Sequence, residues 1–161
     1  MQFHVRRAVP ADHEAITEVA FAAWIESYAP IFGLEYVEKN VAETYTLSRS
    51  LADITHKDGC YLVAIADGVV VGFSWIIVRW RETELMRLYV TPHWQGQKVG
   101  TALLEAGEQF LRKNGISHYI VHVHSRARDA VNFYKRRGFA LRHMLRLGEN
   151  LCFEKWLTDD E

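Results

Sequence analysis

Gln95, Gly96, Gln97, Lys98, Val99, Gly100 and Thr101 stand where an apolar run gives way to a helical pattern, within Glu84-Leu-Met-Arg-Leu-Tyr-Val-Thr-Pro-His-Trp-Gln-Gly-Gln-Lys-Val-Gly-Thr-Ala-Leu-Leu104. Strand, glycine-bearing loop and amphipathic helix in that order build an anion site. A helix beginning near Lys98 turns its unpaired N–H groups and the positive end of its dipole into the loop, where a phosphate or pyrophosphate can be held. Gly96 and Gly100 let the backbone approach closely. There is no Gly-Lys-Ser/Thr run, which argues against a P-loop and a nucleotide enzyme of that kind.

His118, His122 and His124 form a second group with chemistry to offer. Strict alternation along a strand puts all three on one face and Tyr119, Val121 and Val123 on the other. Imidazoles two residues apart could share a metal, but no nearby Cys or Asp completes a zinc set, so no metal is expected. An imidazole also titrates where protons move near neutrality, which makes His122 and His124 candidates for a relay. Cys60 and Cys152 lie in apolar strand-like runs and are read as reduced core thiols.

These side chains need a scaffold, and the hydrophobic pattern supplies one. Residues 2–8 read as a strand, and Pro10-Ala-Asp12 opens a helix in which Ile16, Val19, Ala20, Ala23 and Trp24 recur at helical spacing. A second helical region covers about 34–54. Strands 60–66 and 69–78 flank Asp67-Gly68, a strong hairpin turn, and a third strand at 82–90 continues the meander. After the loop, Val99, Ala102, Leu103, Ala106, Phe110 and Leu111 form a helical stripe that Gly115 ends. A strand at 117–124, a helix at 127–137 and two strands near 139–146 and 151–157 complete an α+β chain.

With 161 residues and 49% hydrophobic content, the chain has material for one well-filled core, so 1–161 is read as a single domain. A formal net charge of −1 gives no electrostatic footprint for nucleic acid, and Lys135-Arg-Arg137 is read as a solvated helix end. No apolar run approaches the ~20 residues that span a bilayer, and the N-terminus has no signal-peptide core. A cytosolic chain is expected, with no membrane partner.

The loop resembles the acetyl-CoA loop of the GCN5-related N-acetyltransferase (GNAT) family, Gln/Arg-x-x-Gly-x-Gly/Ala, represented by Gln95, Lys98 and Gly100. Lys98 departs from the pattern's glycine. Val5-Arg-Arg-Ala-Val-Pro-Ala-Asp12 resembles the family's first strand and the start of its first helix, and Asp129-Ala-Val-Asn-Phe-Tyr-Lys-Arg-Arg-Gly-Phe139 its last helix and the following strand. The resemblance implies a mixed, mostly antiparallel sheet of about seven strands with helices on both faces. Two parallel strands at its centre splay apart around the cofactor. It also implies transfer of acetyl from acetyl-CoA directly to a primary amine of a small molecule or peptide.

The resemblance assigns roles. An amine attacks a thioester only when uncharged, and Glu84 falls where the family's namesake enzymes carry a general base. Alternation would put Glu84 on one strand face with Met86, Leu88 and Val90, with Glu82 able to substitute and His122 or His124 the competing relay. Tyr134, in Phe133-Tyr134-x-x-x-Gly138-Phe139, matches the family's general-acid tyrosine, placed to serve the leaving thiolate. The main chain at Leu88 maps onto the group that polarises the thioester, and Val90 onto the wall of the pantetheine arm. Ala127 replaces an asparagine that touches that arm in many members, so that contact is either missing or supplied by Ser125 or Asn132. Trp24, Glu26, Tyr28, Glu35, Tyr36 and Glu38 lie in the acceptor segment and hint at a cationic amine such as a polyamine. A peptide N-terminus, an aminoglycoside or an amino acid stays open, as do pairing into a homodimer and a non-catalytic acyl-CoA sensor.

Overall fold

Turn chemistry and alternation organise the sheet in the computed structural model, which describes residues 2–158. β2 (Gly59–Ala66) and β3 (Val69–Ile77) close a hairpin through Asp67 and Gly68. Their φ values of 50° and 76° are the paired positive angles of the tight turn that Asp-Gly favours. β1 (His4–Arg7) pairs with β2, and β4 (Glu84–Val90) pairs with β3. β5 (His118–His124), β7 (Asn150–Trp156) and β6 (Ala140–Leu145) extend the sheet to the order β1-β2-β3-β4-β5-β7-β6.

All pairings are antiparallel except β4 with β5, which meet only at Glu84↔Ile120 and Leu85↔Val121. Beyond those two pairs the strands diverge, which is the expected central splay. α1 (His13–Phe32), α2 (Leu34–Thr44) and α3 (Leu47–Ile54) cover one face. α4 (Val99–Lys113) and α5 (Arg128–Arg136) cover the other. With helices on both faces, β2 and β3 are buried along almost their whole length.

Two sequence expectations need correction. The single helical region at 34–54 is two helices, because Tyr45 leaves helical geometry (φ −104°, ψ 39°) to set its ring edge-on against Phe73. Thr46 then caps α3, its Oγ1 accepting the Arg49 N–H at 3.4 Å. In β4, the alternation expected for Glu84, Met86, Leu88 and Val90 fails. Trp75 pairs with Arg87 and Ile76 with Leu85, so Met86 is an extra, unpaired residue, a β-bulge. Met86 and Tyr89 therefore pack with the α1 and α2 side, whereas Leu85, Leu88 and Val90 pack with α4 and α5.

The chain enters α1 through a polar joint. Asp12 is buried at the end of a short 3₁₀ turn, where its Oδ2 accepts the Val9 N–H at 2.8 Å. Its two oxygens also take a bidentate pair from Arg6 at 2.8 and 2.9 Å, tying β1 to the helix. The Arg6 guanidinium, aided by the Val9 amide, holds the Asp12 carboxyl below its ordinary value although burial opposes this. Asp12→Asn should lower the unfolding free energy at pH 7 by about 1–2 kcal/mol, measured by urea denaturation. Because the folded-state pKa is depressed, that contribution is complete above the unfolded value of ~3.9 and is lost as pH falls through the folded one. Wild type and variant should therefore converge in acid.

Candidate active site

β4 ends at Val90, and a short turn at Pro92–Trp94 delivers the chain to the loop, whose side chains and backbone are both in use. Gln95 Nε2 donates to the Val90 carbonyl at 3.2 Å, fastening the loop to the strand. Lys98, at the N-cap of α4, has φ 68° and ψ 14°, the left-handed conformation that glycine adopts freely. The departure from the glycine pattern thus keeps the glycine backbone. No side chain caps this end, so the first amides of α4, at Val99, Gly100 and Thr101, have no intrahelical acceptor and face outward as donors. A Cβ on Gly100 would come within 3.3 Å of Phe133, so glycine there also lets α4 and α5 approach.

A cavity of about 570 Å³ opens at this point, beside the end of β4 that has diverged from β5. Leu88, Val90, Gln95, Gly96, Lys98, Val99, Gly100 and Thr101 all line it. Gln97, Ser125 and Asn132 do not. The bulge explains why Leu88 and Val90 take part, since it turns both toward α4 and α5. Ala127 also lines the wall, so the asparagine contact has no side-chain substitute among the residues expected to supply it.

Five cations line the cavity: Lys98, Arg126, Arg128, Arg136 and Arg137, against two carboxylates, Glu26 and Asp129. The reading of 135–137 as a solvated helix end needs correction at Arg137, whereas Lys135 and Arg136 are exposed. Arg137 stacks on the Phe133 ring at 3.9 Å and donates through Nε to Thr101 Oγ1 at 3.0 Å, joining the end of α5 to the start of α4. Burial, with Arg136 beside it, lowers the Arg137 pKa, although a guanidinium stays charged throughout the working range. Basic residues at a helix end are ordinary, so only its contact with α4 distinguishes Arg137.

Tyr134 is buried at the cavity wall, packed edge-on against Phe133 and Phe139. Burial pushes its phenol well above the ordinary value, with nearby Tyr28 adding to the effect, so it is protonated at neutral pH. Tyr28 of α1 lines the same cavity and packs edge-on against Trp24, with ring centroids 4.8 Å apart. Its phenol neighbours that of Tyr89, which is raised in the same way by burial. Glu26, Pro30 and Ile31 continue this wall.

Glu84 is outside the cavity lining, at the root of the splay. Its Oε2 lies 3.1 Å from His122 Nδ1 and its Oε1 lies 3.4 Å from an Arg79 nitrogen. Two candidates read as competitors for one role are therefore in contact. Glu82 pairs with Arg142 of β6 instead. The other histidines have separate partners: His118 meets Glu154 at 2.9 Å and His124 packs edge-on against Phe32. Among the described residues, no three His, Cys, Asp or Glu side chains converge as a metal site. Cys60 and Cys152 are both buried and unbridged. No described helix is long and apolar enough to cross a membrane.

Comparison with known proteins bears on this geometry. Residues 21–139 match the model of the acetyltransferase (GNAT) family. The chain is 32% identical over 143 residues to a spermidine N(1)-acetyltransferase of Thermoplasma acidophilum, covering 86% of this chain and 89% of the relative. It is 30% identical over 125 residues to a mycothiol acetyltransferase of Sanguibacter keddieii, covering 73% of this chain but only 39% of that protein. Among solved structures, the PaiA N-acetyltransferase of Thermoplasma acidophilum in complex with coenzyme A superimposes with a TM-score of 0.92 at 30% identity, covering 97% of this chain and 99% of that one.

The left-handed Lys98 gives a direct test of the loop geometry. Lys98→Gly should raise the unfolding free energy by about 0.5 kcal/mol, because relief of a strain of roughly 1–2 kcal/mol outweighs the extra freedom of the unfolded chain. Lys98→Val should lower it by more than about 1 kcal/mol, since a β-branched residue tolerates positive φ poorly. Urea denaturation of the two variants beside wild type reads both signs.

Proposed function

The chain belongs to the acetyltransferase (GNAT) family, and from that premise we propose that it transfers the acetyl group of acetyl-CoA directly to a primary amine of a small cationic molecule of polyamine type. The observation that carries this reading is the cavity at the β4–β5 divergence, which joins a cation-lined helix N-terminus to an apolar wall. The chemistry of the lining fits coenzyme A. The amides at Val99, Gly100 and Thr101, with Gln95, Gly96 and Lys98, would hold the pyrophosphate. Arg126, Arg128, Arg136 and Arg137 would add charge-assisted hydrogen bonds to phosphate oxygens. Leu88 and Val90 would flank the pantetheine arm, the Leu88 main chain polarising the thioester carbonyl as charge develops on it.

Tyr134 is the proposed acid. A phenol raised by burial does not surrender its proton fully to a thiolate, whose own conjugate acid has a pKa near ~8.5. Tyr134 therefore acts mainly by donating a hydrogen bond that stabilises the departing sulfur, and the thiolate finally takes a proton released from the amine. Glu84 is the proposed base. It stands four residues from Leu88, or roughly 13 Å along an extended strand, so it acts through water rather than by direct contact.

The acceptor side is drawn from α1. Glu26 supplies a carboxylate to the cavity. Pro30, four residues on, has no N–H to donate to the Glu26 carbonyl, so that oxygen lacks its helical partner and can accept from an ammonium. Tyr28 presents aromatic surface beside them, backed by Trp24, which suits a cation on a flexible aliphatic chain. The named activity of the Thermoplasma relative, a spermidine N(1)-acetyltransferase, supports the same class of acceptor.

Thiolate release from acetyl-CoA should be fastest with spermidine or a similar polyamine in a panel that includes amino acids, a peptide and an aminoglycoside. A preference for the peptide would overturn the acceptor assignment. Gly100→Asp should weaken coenzyme A binding well over tenfold by calorimetry, through a misplaced negative charge and a clash with Phe133. Tyr134→Phe should keep fold and cofactor affinity while lowering kcat by about 10- to 10³-fold, since the ring's packing survives and only the hydroxyl is lost.

A further inference from the structure

The Glu84 carboxylate is held from two directions by groups that belong to different elements. Arg79, in the connection between β3 and β4, donates to Oε1 at 3.4 Å and lies 3.8 Å from Met86 Sδ. His122, on β5, approaches Oε2 through Nδ1 at 3.1 Å. A carboxylate only accepts, so Nδ1 carries a proton in this contact and Nε2 is left toward solvent, which the 37% exposure of the His122 side chain permits. The Glu84 side chain is 15% exposed and so cannot swing freely into water.

The position of this contact in the fold gives it meaning. Glu84 and Leu85 are the last β4 residues paired with β5, and His122 is the first β5 residue beyond that pairing. The Nδ1–Oε2 bond therefore bridges the two strands where their backbone ladder stops. On its other edge, His122 is paired with Cys152 of β7, which keeps the ring's base in place.

Resting on the reading of Glu84 as the base, we propose that His122 is its positioning residue. Through Nδ1 it aims the carboxylate's remaining lone pairs into the splay, and with Arg79 it fixes the rotamer from which Glu84 accepts the amine's proton by way of water. His122 does not itself touch the acceptor. Its hydrogen bond, rather than its ability to titrate, is the property that counts.

An asparagine at 122 can place an amide N–H near the Nδ1 position, whereas alanine cannot, so the pair of variants separates positioning from bulk. His122→Ala should lower kcat by about tenfold with little change in KM for acetyl-CoA, and His122→Asn should restore activity to within about threefold of wild type. In the Glu84→Gln background, His122→Ala should cost less than twofold more, because the group it positions is already gone. Wild-type kcat in His122→Ala, or a full tenfold loss in the Glu84→Gln background, would overturn the proposal. Failure of Asn to rescue a soluble variant with a normal circular dichroism spectrum would do the same. Wild-type activity in Glu84→Gln alone would instead remove the base assignment on which the proposal rests, and the two failures are thereby distinguishable.

Discussion

The fold depends on a hydrogen-bond ladder that stops early. β4 and β5 share two residue pairs and then separate, so the half of β4 that faces β5 from Met86 to Val90 has main-chain donors and acceptors with no strand beside them. A break in the middle of a sheet is costly unless something polar reaches those groups, since unpaired buried amides and carbonyls lose the full value of their hydrogen bonds. Here the break forms a wall of the cavity. An extended amide-bearing chain such as a pantetheine arm can serve those groups as a strand would, and Gln95 already does so for the Val90 carbonyl.

The bulge at Met86 and the left-handed Lys98 are the two local distortions that make the cavity usable. The bulge reverses the face presented by Leu88 and Val90, which brings an apolar wall to the same side as α4. Lys98 turns the chain so that the open amides of α4 begin directly behind that wall. Arg137 then crosses from α5 to Thr101 and closes the basic rim. Although the chain as a whole is nearly neutral, five cations against two carboxylates line this one cavity. In a partly enclosed space such a balance is screened less than it would be on an open surface. On the α1 side, Glu26 gives the cavity a contrary pole, at the end proposed for the amine.

Much of this could be read from the residues. Asp67-Gly68 announced its hairpin, the stripe from Val99 to Leu111 its helix, and the strand–loop–helix run its uncapped helix N-terminus, because each rests on local chemistry that sequence states directly. The bulge was hidden, since Glu84-Leu-Met-Arg-Leu-Tyr-Val90 alternates acceptably in either phase and only pairing with Trp75 and Ile76 decides between them. The same holds for Arg137: basic residues at the end of a helix look alike whether they face water or a neighbouring helix N-terminus. The contact between Glu84 and His122 joins residues 38 apart, and it follows from the parallel register of β4 and β5, which no local pattern encodes. Lysine gives no sign of a positive φ, so the retention of glycine geometry at 98 emerged only with the backbone angles.

The most direct measurement is amide hydrogen exchange along β4 with coenzyme A present at about 100 times its dissociation constant. A ligand at that concentration stabilises the bound form by nearly 3 kcal/mol, so amides it covers should exchange up to about 100-fold more slowly. Protection is predicted in the segment Met86–Val90 and in Gln95–Thr101, with β1 and the outer edge of β6 unchanged. Exchange in Met86–Val90 that is unaffected by saturating coenzyme A, with protection appearing elsewhere, would contradict the assignment of the splay as the cofactor's seat.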